Sequence, residues 1–358
     1  MTQPLTLASR HLAQQRRIAA TTVAAALREW GLLDANHLRA SWSTVGPRLV
    51  TVLTAGQMAA ASGANDYVDS VAAAEGADEA GMAVNPAAFA GLAADGRSLD
   101  TLVMRPLFTT FEAIRGGAST RQALGAGRGL LATIMRSEVA DAGRGAVGVG
   151  IAGRRTIQGY VRVVQPPACA RCVILAGKEF GWNKGFQRHP RCDCIHLPTT
   201  LIARNQNRGR LGSDSFTPTT QPGRGAAGFI NPRSYFDTLS RAEQDRIFTV
   251  DGARAIRDGA DMAQVINARR GMYTADAYGR RVAATREGAT RRGAFYRAER
   301  ARAEARTGTR FARDRIELRQ GLPRFELRSP RLLPEEIYRL ATDRDDAIRL
   351  LRRFGYLT

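Results

Sequence analysis

Over residues 5–33 the apolar side chains Leu12, Ile18, Val23, Leu27 and Trp30 recur at spacings of three to six, which gathers them on one broad helical face. Gly31 predicts the end of that helix, and Asp34 is placed to cap the next. The second segment carries Leu38 and Trp42. Pro47 predicts the start of a third helix, because the missing N–H of proline costs nothing in a first turn. Leu49, Val50, Val52, Leu53 and Met58 would supply its buried face. Residues 65–100, rich in Ala, Gly and Asp, predict short helices and loops. Two further helices are predicted over 98–114 and 119–143, parted by Gly116 and Gly117.

The period changes after Arg155. Ile157, Tyr160, Val161 and Val163 alternate imperfectly and are rich in β-branched types, which predicts a strand stopped by Pro166 and Pro167. The stretch CIHLP at 194–198 reads as a short returning strand. Residues 201–226 are polar, aperiodic and rich in Gly, Pro, Ser and Thr, as a linker is. A helical module follows, with Ser240 and Glu243 spaced as a capping box and a second helix predicted over 251–270. Residues 280–319 are helix-competent but have only a thin apolar stripe. The tail, with Leu333, Ile337, Leu340, Ile348, Leu351 and Tyr356, predicts two short amphipathic docking helices.

The fold class expected is α+β, mostly α-helical, with a small β/zinc-knuckle domain in the middle. The regions are 1–95 (helical), 96–200 (with the knuckle), 201–226 (linker), 227–275 (helical module) and 276–358 (basic helical region ending in docking helices). Composition agrees: 44% hydrophobic residues suffice for a core, and 7% aromatics with abundant Ala and Gly favour closely packed helices. No apolar run approaches the roughly 18–20 residues of a membrane span, and the first residues lack the basic-then-apolar order of a signal peptide. The expectation is a protein made and kept in a cytoplasm, with no membrane partner during assembly.

Charge divides the chain unevenly. Residues 1–150 hold 13 basic and 12 acidic side chains; the remainder holds 40 and 21, which accounts for nearly all of the net +20. Only Lys178 and Lys184 are lysines. Residues 280–319 contain 13 arginines and 5 acids. Such a segment is either a solvated helix laced with Arg–Glu pairs three or four residues apart or an arm that tracks phosphates. Under the second reading Arg280, Arg281, Arg291, Arg292, Arg297, Arg300, Arg302, Arg306 and Arg310 are the candidate contacts to DNA. Arg254, Arg257, Arg269 and Arg270 flank an apolar helix, either as the charged ends of a surface helix or as a contact to DNA or to a portal subunit.

All four cysteines, Cys169, Cys172, Cys192 and Cys194, fall in one 26-residue window. His189 precedes Cys192 by three residues, giving C-x2-C, sixteen residues, then H-x2-C-x-C. A C-x2-C turn aims two thiolates at one point, and a tetrahedral zinc takes two more ligands at about 2.0–2.3 Å from a second element. Five candidates compete for four positions: Cys169 and Cys172 with His189 and one of Cys192 or Cys194, or both late cysteines in place of His189. His196 would be carried away by the following Leu-Pro turn. A disulfide is the other use of such cysteines, but one that a cytoplasmic setting disfavours.

The strand, the C-x2-C, the AG-x-x-F stretch and the closing HP-x-C-x-C (His189, Pro190, Cys192, Cys194, then Pro198) together resemble the Mu F-like minor head proteins of tailed phages. Asp193 stands where that family usually has Arg. The preceding helix with Arg136 and Glu138 matches the family layout, and the likeness spans about residues 95–200. The flanking stretches resemble actinobacterial phage members. The resemblance implies an internal, low-copy head component linked to the portal protein, to the major capsid protein or scaffold, and to packaged double-stranded DNA. Its expected location is the virion interior, with assembly in the host cytoplasm. Some relatives carry the label of capsid maturation protease, which is the alternative function. The sequence has no G-x-S-x-G or H-E-x-x-H, and Ser41 and Ser43 near His37 read as the wet face of a helix. GAGRG at 125–129 lacks the lysine and the strand–loop–helix setting of a phosphate loop and reads as a helix junction. No reading helix follows the knuckle with finger-like spacing.

Overall fold

The computed structural model describes residues 3–77, 81–185, 194–200, 230–291 and 293–357. Two compact units emerge: residues 1–167 with 175–232, and residues 168–174 with 233–358. The chain is mostly helical with two small antiparallel sheets.

The first unit is built from α1 (Gln3–Trp30), α2 (Leu38–Ser62), α3 (Ala64–Ala74), α4 (Leu99–Arg115) and α5 (Thr120–Ala152). The long α5 packs against α1, α2 and α4. Leu49, Leu53, Leu131, Met135 and Val139 are fully buried there, beside Trp30 and Leu99. Helices from both sides of residue 95 thus share one core. Close packing depends on small residues: a Cβ on Gly56 would lie 2.4 Å from Thr22 Oγ1 and 2.9 Å from Val139. The sheet β2–β1–β3 covers the far end of the bundle, where Tyr160, Val161, Val163, Ile195 and Leu197 join Leu12, Tyr67, Val68 and Ile151. Its strands are β1 (Gly159–Val163), β2 (Glu179–Gly181) and β3 (Ile195–Thr199), with Val161 opposite both Glu179 and Leu197.

Several boundaries differ from the sequence expectation. Asp34 does not cap α2: it accepts from the Asn36 N–H, and its other oxygen meets the His37 ring. His37 is the N-cap. Pro47 opens no new helix but lies inside α2, as Pro106 lies inside α4. An interior proline forfeits a hydrogen bond and costs about 3 kcal/mol in an exposed helix. Here Leu38, Val45, Leu49 and Leu53 on either side of it are buried together, and that burial outweighs the loss. α5 continues nine residues beyond 143, and GAGRG falls within its body. Its start matches expectation, with Ser119 and Gln122 forming a capping box.

The second unit contains α6 (Ala170–Val173), α7 (Pro232–Thr238), α8 (Arg241–Phe248), α9 (Val250–Arg257), α10 (Met262–Ala268), α11 (Ala294–Thr307), α12 (Arg315–Arg319), α13 (Pro334–Leu340) and α14 (Arg344–Arg353). The Ser240–Glu243 capping box of α8 is formed as the spacing predicts. The single helix expected over 251–270 is two: Gly259, at φ +98°, ends the first, and Asp261 caps the second by accepting from the Gln264 N–H.

The larger correction concerns the start of the basic region, which is not helical. β4 (Met272–Ala277) and β5 (Arg280–Thr285) form a hairpin, and β6 (Arg331–Leu332) adds to β5. Tyr278 and Gly279 turn the hairpin with φ of 54° and 71°, the paired left-handed geometry of a two-residue loop. β5 buries Val282 and Ala284 on one face, with Thr285 buried at its end, a pattern obscured by the arginine count. The two docking helices expected in the tail are α13 and α14, which bury Ile337, Leu350 and Leu351. The proposed linker 201–226 lies outside the described residues.

Candidate functional site

Cys169 is the exposed N-cap of α6, and Cys172 is buried on that helix. Both belong to the second unit. Cys194, in the first unit, is buried just ahead of β3, and its carbonyl accepts from Arg144 Nη1 at 3.3 Å. Arg144 is oriented by Asp141 at 2.8 Å. His189 and Cys192, two of the five ligand candidates, lie outside the described residues. Among the described residues no group of three or more His, Cys, Asp or Glu side chains gathers as a metal centre would. His196 is a core residue: its ring stacks on Tyr160 at 4.1 Å, and its carbonyl accepts from the Tyr67 hydroxyl at 2.9 Å.

The His37 neighbourhood holds an exposed Asp34–His37 pair at 2.9 Å. That hydrogen bond holds the Asp34 carboxyl below its ordinary range. The Ser41 and Ser43 hydroxyls donate to the carbonyls of His37 and Ala40, which is how serines in helices satisfy themselves locally. Among the described residues neither hydroxyl is hydrogen-bonded to the His37 ring.

The arginines predicted to contact DNA separate into several kinds. Arg280 reaches the buried Glu336 at 3.4 Å, Arg300 faces Glu304 at 3.9 Å, and Arg310 meets Glu317 at 2.7 Å. These are the Arg–Glu pairs that the charge pattern also allowed. Arg281 and Arg297 are exposed, Arg291 is half-buried, and Arg292 lies outside the described residues. Arg302 and Arg306 share one surface groove with Arg349, Arg352 and Arg353 of α14. Those three were not among the candidates read from the sequence. In AIRLLRRF they look like the polar face of a docking helix, and only the packing of α14 beside α11 puts them in the same groove.

Three of the four arginines flanking the apolar helix near 254–270 are used inside the unit. Arg254 lies 4.0 Å over the Tyr338 ring, Arg257 pairs with Asp245 at 3.1 Å, and Arg269 pairs with Glu335. Burial, together with the hydrogen bond to Asp258, pushes the Tyr338 hydroxyl well above its ordinary value.

These features define a mostly helical α+β protein whose second unit carries 29 basic against 18 acidic side chains. The chain belongs to the VG15 protein family, a phage-associated viral protein family, whose model matches residues 2–209. No curated protein and no solved structure matches it. Among the described residues no helix is long and apolar enough to cross a membrane.

Proposed function

We propose that this chain is a minor capsid protein of a tailed bacteriophage, a head-morphogenesis component of the Mu F-like kind. It acts inside the head, in contact with the portal protein and with the major capsid protein or scaffold. The observation that carries this reading is membership in a phage-associated family over residues 2–209. The HP-x-C-x-C ending at 189–194 supports the finer Mu F-like likeness. The net charge of +1 over residues 1–150, against +19 beyond, supports a division of labour. The near-neutral part suits contacts with other proteins, and the arginine-rich part suits packaged double-stranded DNA. The cysteine spacing supports a structural zinc drawn from Cys169, Cys172, His189, Cys192 and Cys194.

The test is made on a phage that carries the gene. DNA-filled heads are purified, treated with protease from outside and analysed by mass spectrometry. A few protected copies per head are expected, together with loss of filled heads when the gene carries an early stop codon. Absence of the protein from filled heads, or full digestion from outside, would overturn the reading.

A further inference from the structure

We infer that the groove between α11 and α14 binds the backbone phosphates of double-stranded DNA. The inference rests on the DNA-facing role proposed above and assigns it to a particular surface. Arg302 and Arg306 enter the groove from α11, and Arg349, Arg352 and Arg353 enter from α14. Among the described lining residues the carboxylates are Glu299 and Asp345, and Asp346 beside the groove pairs with Arg349, so the five arginines exceed the nearby carboxylates by two.

The five guanidinium groups are not equally engaged. Arg302 is braced by Glu299 at 2.5 Å and by the Arg353 carbonyl at 3.2 Å. Arg349 is paired with Asp346, which lies one turn away on its own helix. Arg306 and Arg352 are exposed, and among the described residues neither forms an ion pair. Arg353 has no carboxylate partner there either; its guanidinium lies 5.7 Å from the Phe354 ring centre. Two arginines are therefore positioned by acids, and three are left to meet an outside anion.

A plainer use of these residues is to offset the negative ends of the two helices. Each helix C-terminus carries roughly half a unit of negative charge, felt within the last turn. Arg306 alone would offset the end of α11, and Arg353 alone that of α14. That purpose accounts for Arg302, which reaches the end of α14 through the Arg353 carbonyl, but it leaves Arg352 as a further charge at an end already offset.

The rest of the lining indicates the kind of anion. Its other side chains are Ala303 and Ile348, with no aromatic ring. Unpaired bases would find no stacking platform there, whereas a duplex presents only phosphates and sugars along its outer edge. Guanidinium forks match phosphate oxygens two at a time. The site should therefore grip a duplex without regard to sequence.

The test uses the full chain and a labelled duplex of about 30 base pairs of arbitrary sequence, with binding followed by fluorescence anisotropy between about 0.05 and 0.2 M salt. In the triple variant Arg306→Gln, Arg352→Gln, Arg353→Gln, the slope of log affinity against log salt should shrink by about 3, and affinity near 0.1 M salt should fall roughly a hundredfold or more. The control Arg241→Gln, Arg324→Gln, Arg328→Gln removes the same charge from exposed positions elsewhere in the unit and should change both far less. If the triple variant fails to fold, Arg306→Gln and Arg352→Gln made singly should each lower the slope by about 1. Equal losses in groove and control variants, or tighter binding of single strands than of duplex, would overturn the inference while leaving a DNA-facing role standing. Wild-type protein showing no salt-dependent duplex binding would instead remove the DNA-facing role itself, and this inference with it.

Discussion

The guanidinium of Arg331 lies over the ring of Tyr356, 4.3 Å from its centre, and both side chains are buried in the second unit. Arg331 Nε donates to the Phe354 carbonyl at 2.8 Å and Nη1 to the Glu287 carbonyl at 2.8 Å. Nη2 donates to Gln264 Oε1 and to the Gly355 carbonyl. The Tyr356 hydroxyl donates to the Leu332 carbonyl at 2.9 Å, next to the arginine on β6. One residue thus joins the hairpin sheet, α10 and the C-terminal end of α14. Burial lowers the guanidinium pKa from its ordinary value, so Arg331 keeps its charge at a desolvation cost that the hydrogen bonds offset, and burial raises that of the Tyr356 hydroxyl, which holds it neutral.

Replacing Arg331 by Met should cost the second unit about 3–5 kcal/mol, because one buried and three part-buried hydrogen bonds are lost at once. Arg331→Lys keeps the charge but not the planar fork and should lose less than Met but still more than 1 kcal/mol or so. Thermal unfolding followed by circular dichroism checks both. A Met variant as stable as wild type would mean that water replaces the lost donors.

His11 stacks on Tyr67 at 4.0 Å between ring centres with nearly parallel planes. Burial pushes its pKa down to about 4. Because the folded value lies below the unfolded one, the unfolded chain takes up the proton first as pH falls. Stability is therefore complete above about pH 6.5 and declines until about pH 4, by up to roughly 3 kcal/mol. Denaturation midpoints measured across that window should show the slope, and His11→Phe, which keeps the stacked ring without titrating, should flatten it.

Gly127 and its neighbours in GAGRG separate packing from propensity. A Cβ on Gly127 would sit 2.3 Å from Thr110 Oγ1 and 2.7 Å from both the Pro106 carbonyl and the Trp30 ring. Gly127→Ala should destabilise by about 1–3 kcal/mol although alanine is the better helix former. Gly125 and Gly129 face open space, so alanine at either should stabilise by about 0.5–1 kcal/mol. Chemical denaturation of the three single variants decides it: the same sign at all three would show that the close approach at Gly127 does not set the outcome.

Elemental analysis of the purified protein is expected to find about one zinc per chain, lost in the variant Cys169→Ser, Cys172→Ser together with part of its thermal stability. Metal-free protein with an unchanged melting curve in that variant would leave the cysteines a packing or redox role instead.

Periodicity and capping made much of the first unit, and the start of one helix in the second, legible from the chain alone. The extents of α1 and α4, the starts of α5 and α8, and strands β1 and β3 follow from repeats and caps that act within a few residues. The charge division and the cysteine spacing are likewise sequence properties. Other features depended on energies that no local window contains. Pro47 and Pro106 remain inside helices because burial on either side of them outweighs a lost hydrogen bond. The arginine count concealed the 272–285 hairpin, whose decisive signals are the Tyr278–Gly279 turn and the burial of Val282 and Ala284 on one face of β5. The arginines divide between internal ion pairs and a shared groove according to which helix packs beside which, since charges more than ten residues apart in sequence interact only once the fold has brought them within a few ångströms.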